Sequence, residues 1–330
     1  MFWYQYEGTG ESMWEVSVSN ARARGVEWMN DNDLGLQTVK SFRLGYRLVK
    51  VSHDNARTRA AAQTFYNYRY DENIPAFWSW TNPTNEPQWE RAVNVDMIMN
   101  TEKLLWAAVN GGNANYSNAA ANHADTPWAD LVRDDYSTYH VADYDQSTGE
   151  LEDRATYQGW QDDSTWSRAQ AWAIYGFTMV HRYLKEQRFL DYTINTLSYF
   201  VDNLPDDNVP YADFDAPVDS DNPKDSSATA IVTSALFELF ELVGKPSYLE
   251  KGQEFLSSLL LSSTYFDSSA TDGWQAILRN SAAAWGDEAV GSVTADYFLL
   301  ESMVRYTTMA PPIILRDKAE ARITDDQLSV

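Results

Sequence analysis

The sequence predicts an all-α fold, an α/α toroid of six helical hairpins that forms a single domain over residues 1–330. Three observations support this prediction. Apolar residues recur at helical spacing through most of the chain, alternation typical of strands is nearly absent, and turn residues interrupt the pattern regularly. The resulting period of roughly 50 residues is typical of stacked helical hairpins. With 44% apolar residues and no change of composition that would mark a linker, 330 residues can bury one large core.

The predicted helices share an apolar stripe at helical spacing and turn residues at their ends. In chain order they run near 10–29, 33–50, 54–69, 95–110, 115–132, 166–185, 188–203, 226–243, 247–262 and 294–309. A short segment at 2–7 and a weak one near 269–280 complete the six hairpins. Gly111 follows one helix, and Gly244 with Pro246 separates two others, which supports these boundaries.

The longer loops are unevenly placed. Those at 70–94, 133–165, 204–225 and 263–293 each precede the first helix of a hairpin. In a toroid they would gather on the face that carries the N-terminal ends of those helices. Free N–H groups and the helix dipole make such a face favourable for an anion. The sequence therefore predicts a site for a carboxylate-bearing ligand there.

Composition excludes several classes of function. The net charge of −23, from 48 acidic and 25 basic residues, disfavours nucleic acid and anionic membranes as partners. The absence of cysteine excludes disulfides, thiolate catalysis and Cys-ligated zinc. His53, His123, His140 and His181 lie too far apart for a histidine metal site, and 143–149 is better interpreted as a solvated acidic turn than as a calcium loop. No metal, cofactor or membrane span is predicted.

The segment 156–172 is the most informative stretch of the chain. It combines Gln158 and Arg168 with four aromatic rings at the start of a predicted helix. Aromatic faces stack on sugar rings, glutamine bonds hydroxyl groups, and the guanidinium fork of arginine matches a carboxylate. The pattern indicates binding of an acidic sugar. The alternative is a plain helix start, with Ser164 as N-cap and Trp166 as a core residue.

Seven blocks in this order carry a resemblance to a known family: 32–36, 78–80, 95–100, 137–141, 156–172, 209–215 with 225–228, and 296–301. They resemble the unsaturated glucuronyl hydrolases, which are α/α toroids of six hairpins. The resemblance implies a glycoside hydrolase of polysaccharide degradation that acts on the products of polysaccharide lyases. Such an enzyme hydrates the C4–C5 double bond of a terminal unsaturated glucuronic acid.

The resemblance also implies roles for single residues. Asp96 matches the principal acid/base and Asp33 the second carboxylate. The positions that match substrate contacts are Trp80, His140, Gln158, Arg168 and Trp172. Without the resemblance, N-capping is the preferred interpretation of both aspartates, because each lies at a predicted helix start.

The start of the chain departs from the family. Residues 2–14 resemble the end of the family's first helix and the beginning of its second, so we expect the first inner helix to be incomplete. The sequence has no leader segment, which favours a cytoplasmic location. A signal peptide would have preceded this point, however, so secretion stays the alternative. The expected partners are small unsaturated uronic-acid oligosaccharides, and the expected state is a monomer or weak dimer.

Three other functions stay open at this point. The related unsaturated rhamnogalacturonyl hydrolases share the fold and the chemistry. An incomplete first helix could leave an inactive oligosaccharide-binding protein. A helical interaction scaffold is the third possibility, although it would not require carboxylates and aromatic residues gathered at one set of helix ends.

Overall fold

The computed structural model describes residues 4, 7, 9, 10, 52–79, 89–219, 221–269 and 272–309. The helices predicted near 10–29 and 33–50 and the segment at 2–7 lie outside these residues, apart from Tyr4, Glu7 and Gly10.

Long helices dominate the described segments. In chain order they are α1 Ser52–Arg69, α2 Met97–Asn100, α3 Glu102–Val109, α4 Asn115–Leu131, α5 Ser167–Leu184, α6 Gln187–Asp202, α7 Ser226–Val243, α8 Pro246–Leu260 and α9 Val293–Met309. Their ends agree with the predicted ones to about two residues, the ordinary uncertainty of a helix end. The helix predicted at 95–110 is divided at Thr101, whose hydroxyl donates to the carbonyl oxygen of Ile98 (2.7 Å). Such side-chain bonds to the preceding turn bend helices.

The helices form two layers, as in an α/α toroid. Nearly every residue of α5 and most of α7 are buried, and α7 packs between α5 and α9. By contrast, α6 buries one face, which includes Phe189, Leu197 and Phe200. Gly252 of α8 packs on the ring of Phe237 in α7, where an added Cβ would lie 2.6 Å from a ring carbon. Inner helices are thus enclosed on all sides, whereas outer helices are amphipathic.

The apolar character of α7 follows from its inner position. Of the helices in the described residues, it is the one long and apolar enough to cross a membrane. In the structure, however, 78% of its residues are buried inside the protein. Core helices commonly have this composition.

Two small antiparallel sheets lie within the predicted loops 70–94 and 133–165, where no strand was predicted. β1 Tyr70–Asp71 pairs with β2 Ala76–Phe77, and β3 Val93–Asn94, β4 Val141–Tyr144 and β5 Leu151–Ala155 form a second sheet in that order. All four residues of β4 are buried, so this strand has no alternation of apolar and polar positions. Short strands buried on both faces lack the pattern that reveals a strand.

The weak helix predicted near 269–280 is wrong for 272–280, the part that the structure describes, because this stretch has no helical turn. The backbone N–H groups of Ile277 and Leu278 instead donate to the carboxylate of Asp296 in the first turn of α9 (2.9 Å each to Oδ1). The segment is therefore a loop tied to the start of an inner helix.

Buried ion pairs join the inner helices away from these loops. Arg182, in the last turn of α5, donates to Glu102 and to Glu238. Arg305 of α9 donates to the second oxygen of Glu238 (2.8 Å) and to Glu241 (2.8 Å). Because Glu102 and Glu238 are buried, both depend on these arginines for charge compensation.

Candidate active site

The three-stranded sheet brings three distant segments together at one rim, the end of the sheet where Asn94, Val141 and Ala155 pair. β4 runs antiparallel to both neighbours, and Val141 at its start pairs with Asn94 at the end of β3 and with Ala155 at the end of β5. Consequently Asp96, which follows β3, and His140, which precedes β4, lie side by side. The turn that begins at Thr156 after β5 meets them at the same rim.

Asp96 does not cap a helix with its side chain. It occupies the N-cap position of α2, but its carboxylate makes no capping hydrogen bond. The amide oxygen of Asn94 accepts the N–H of Met97 instead (3.2 Å). The Oδ2 atom of Asp96 lies 4.0 Å from Nε2 of His140. The N-cap interpretation is therefore wrong for Asp96, whose carboxylate lies next to the imidazole of His140 instead.

His140 is a buried, neutral imidazole. Burial lowers its pKa to about 3. Its Nδ1 accepts the backbone N–H of Tyr157 (3.2 Å) and lies 3.4 Å from the hydroxyl of Thr156. The imidazole also packs against Trp166, with 4.7 Å between the ring centroids. Since Nδ1 is an acceptor, we assign the proton to Nε2, which faces Asp96. The 4.0 Å separation exceeds a hydrogen bond, but such contacts commonly shorten when substrate binds.

We expect His140 to stay neutral with its proton on Nε2 between pH of about 5 and 8. Its pKa is about 3 in the folded protein against an ordinary value of 6.5, so the folded state binds fewer protons than the unfolded chain. The stability linked to His140 is thus fully present above pH 6.5 and decreases as the pH falls toward 3. Nitrogen NMR of the imidazoles measures both the tautomer and the pKa. A doubly protonated His140 near pH 6 would contradict this assignment.

Gln158 lies in a tight turn that follows β5. The Thr156 hydroxyl accepts the N–H of Gly159 (2.8 Å), which closes the turn. The side-chain amide of Gln158 donates to the carbonyl oxygen of Ala283 (2.8 Å), and the backbone carbonyl of Gln158 accepts the N–H of Trp285 (2.8 Å). The turn therefore joins the sheet to loop 281–285. Its proposed contact with substrate stays a prediction.

Arg168, in the first turn of α5, is held by Asp225. Nε donates to Oδ2 of Asp225 (3.1 Å) and Nη2 to Oδ1 (3.2 Å), and Nη2 also donates to the carbonyl oxygen of Ala282. In the described part of the chain Nη1 makes no hydrogen bond. The guanidinium fork thus serves a protein carboxylate, and a substrate carboxylate would have to use Nη1 or compete with Asp225. Substrate binding by Arg168 stays a prediction.

The other predicted contacts are less defined. Trp172, one turn after Arg168 on α5, is only 5% exposed and packs edge-to-face on Phe298. A sugar contact at Trp172 would use this small exposed part and stays a prediction. Asp33 and Trp80 lie outside the residues that the structure describes.

The acidic segment 143–149 covers the last two residues of β4 and most of the turn to β5. Oδ1 of Asp145 accepts the N–H groups of Ser147 (2.8 Å) and Thr148 (2.7 Å), and Gly149 has a φ of 75°. The Ser147 hydroxyl donates to the same oxygen (2.6 Å), and this bond, together with the two from the backbone, lowers the pKa of Asp145 to about 2. Across the described ranges, no group of three or more His, Cys, Asp or Glu side chains could hold a metal ion.

Two buried aspartates at this rim were not predicted to have a role. Asp225 accepts the N–H of Ser227 (3.1 Å) as the N-cap of α7, a signal that its position before an apolar helix could have revealed. Asp213 accepts the N–H of Trp160 (3.0 Å). Asp213 lies in block 209–215, but its contact could not be inferred from that block because it reaches a backbone group 53 residues away.

Comparison with known proteins finds similarity along nearly the whole chain. No protein-family model matches. The unsaturated glucuronyl hydrolase of Formosa agariphila is 35% identical over 318 residues, which are 92% of this chain and 77% of that protein. A crystal structure of an unsaturated glucuronyl hydrolase specific for heparin has a TM-score of 0.84 at 28% identity, covering 93% of this chain and 84% of its own. A structure of an unsaturated glucuronyl hydrolase variant with the sugar chain dGlcA-Glc-Rha-Glc has a TM-score of 0.84 at 25% identity. The match covers 92% of this chain and 83% of that one.

Proposed function

The chain belongs to the unsaturated glucuronyl hydrolase family, and we propose that Asp96 is the acid that starts the family's reaction in this protein. The protein is a glycoside hydrolase that acts on unsaturated uronyl oligosaccharides. A net charge of −23 supports a small oligosaccharide, rather than nucleic acid or an anionic membrane, as its partner.

The reaction is a hydration. The terminal sugar of the substrate carries a C4–C5 double bond, an enol ether conjugated to the C6 carboxylate. Asp96 donates a proton to C4, and positive charge develops at C5 and on the ring oxygen. A water molecule then adds to C5 and gives a proton to the carboxylate of Asp96 or of Asp33. The resulting hemiketal opens to a ketone at C5, and C1 then expels the remaining sugar as its alcohol. Water never attacks the anomeric carbon.

The position of Asp96 beside a neutral His140 is the observation that supports this role. An imidazolium at this distance would favour an ionised carboxylate. Because burial keeps His140 neutral, it does not oppose a protonated Asp96. The Nε2–H group can still donate to the carboxylate once the proton has been transferred. The role of Asp33 as second carboxylate rests on the sequence resemblance alone.

The ultraviolet absorbance of the conjugated double bond tests the proposal. We expect the purified protein to abolish this absorbance in an unsaturated uronyl disaccharide, at a rate proportional to protein concentration. A panel with glucose, hexosamine or rhamnose next to the unsaturated residue distinguishes the glucuronyl from the rhamnogalacturonyl activity. Binding without loss of absorbance across the panel would instead identify an oligosaccharide-binding protein.

We expect Arg168→Lys to raise KM by about tenfold, while kcat falls by a smaller factor. A tenfold change in affinity corresponds to the loss of one hydrogen bond to a charged group. Lysine keeps the positive charge but loses the fork that binds a carboxylate through two bonds. The substitution also weakens the bond to Asp225, so kinetics are compared where both proteins are fully folded. An unchanged KM with reduced stability would leave Arg168 only the role of joining α5 to Asp225.

A further inference from the structure

Asp213 is a buried carboxylate to which the mechanism above gives no role. It lies in the connection between α6 and α7 and is 1% exposed. Oδ2 accepts the N–H of Trp160 (3.0 Å) and the hydroxyl of Ser164 (2.7 Å), and Oδ1 accepts the N–H of Asp215 (3.0 Å). Both carboxylate oxygens are therefore used, and two of the three donors belong to segment 156–164.

The backbone around Asp213 is fixed independently of its carboxylate. The side chain of Asn222 accepts the N–H of Asp213 (3.0 Å) and donates to its carbonyl oxygen (3.0 Å). Asp213 also forms a backbone bridge with Trp166, directly before α5. The carboxylate is thus held at a defined position against the turn.

The turn that Asp213 holds is the one that contacts His140. Tyr157 donates its N–H to Nδ1 of His140, and the Thr156 hydroxyl lies 3.4 Å from the same atom. Gly159 fills the space between these groups and Asp213. An added Cβ at Gly159 would lie 3.0 Å from Oδ2 of Asp213 and 2.7 Å from the Thr156 hydroxyl. One glycine therefore separates the carboxylate from the group next to His140.

Stability alone does not explain a carboxylate at this place. Burial raises the pKa of Asp213, and the hydrogen bonds from Ser164 and the backbone only partly offset this effect. The folded state therefore disfavours the ionised form relative to the unfolded chain, so at neutral pH the charge reduces stability. Buried charges of this kind can serve structural specificity instead.

We propose that Asp213 is a positioning residue for the reaction: it fixes turn 156–161 so that the Tyr157 N–H keeps the proton of His140 on Nε2, facing Asp96. The same contact fixes Gln158 at the rim. This inference rests on the proposed function for its kinetic consequence, whereas the state of His140 can be measured without substrate.

The test compares Asp213→Asn with Asp143→Asn. Asparagine retains one acceptor oxygen, so it cannot accept hydrogen bonds both from Asp215 and from the Trp160–Ser164 side. Asp143 is a matched control because it is also buried and accepts two backbone N–H groups, from Glu90 and Arg91, at the opposite rim of the same sheet. In Asp213→Asn we expect the nitrogen NMR signals of His140 to shift and kcat/KM to fall by about tenfold or more. In Asp143→Asn the His140 signals and kcat/KM should both match those of the wild-type protein.

Gly159→Ala provides a second variant in case Asp213→Asn does not fold. It displaces the turn through the short Cβ contacts and retains the Asp213 side chain itself. The same shift of the His140 signals and the same loss of kcat/KM are expected. A folded variant of either kind with unaltered His140 signals and kcat/KM would overturn the proposal. If the unchanged protein had no hydrolase activity, the proposed function would fail, and the His140 signals would still decide whether Asp213 positions the turn.

Discussion

Asp96→Asn is expected to lower kcat by at least about a hundredfold, the ordinary scale for the loss of a general acid. Asparagine has the size of aspartate but cannot donate a proton to C4. The start of α2 should be preserved, because the carboxylate of Asp96 makes no capping bond there. We therefore expect the melting temperature and the Kd for substrate to stay unchanged. The absorbance of the double bond should decrease much more slowly than with the wild-type protein.

Asp71→Asn is the matched control for this variant. The side chain of Asp71 is 14% exposed against 17% for Asp96, and it pairs with Arg91 (3.3 Å) at the β1–β2 ribbon. The control should retain nearly full activity. If Asp96→Asn turned over substrate at the rate of Asp71→Asn, Asp96 would not be the acid.

Asp225→Ala is expected to reduce the free energy of unfolding by about 3–5 kcal/mol, as for other buried ion pairs that lose one partner. Asp225 is fully buried and the side chain of Arg168 only 10% exposed, so the arginine would keep an uncompensated charge in the interior. The N-cap bond to Ser227 would be lost as well. Urea denaturation with a common m-value measures the difference.

An exposed ion pair provides the comparison for this variant. Asp125 and Arg188 pair at 3.0 Å with side chains 38% and 42% exposed, so Asp125→Ala should cost only about 0–1 kcal/mol. Equal losses in the two variants would show that the Arg168–Asp225 pair contributes no more than a surface ion pair.

The long helices could be predicted from the sequence because each has one dominant pattern. The apolar run 226–243 ends at Gly244, which adopts a φ of 70°, and the bounds of α7 agree with the prediction. Sheet β3–β4–β5 could not be predicted because its strands are short and β4 is buried throughout. The sequence thus indicated where the helices lie but not how Asp96 meets His140.

The predicted site could be placed only in part. Asp96 and His140 were predicted through blocks 95–100 and 137–141, and the structure brings them within 4.0 Å of each other. The partner of Arg168 could not be inferred, since Asp225 comes from another hairpin and a guanidinium fork fits any carboxylate. The sequence indicated that Arg168 binds a carboxylate; the structure identifies a protein carboxylate that it already binds.

The measurement that tests hydration most directly is proton NMR of the early products formed in heavy water. If Asp96 protonates the double bond, one deuterium should appear at C4 of the released uronate, on a single face, and the vinyl signal of C4 should disappear as the neighbouring sugar is set free. Direct attack of water on the anomeric carbon would release the sugar while the vinyl proton at C4 persisted in the uronate. That result would contradict hydration as the reaction of this protein.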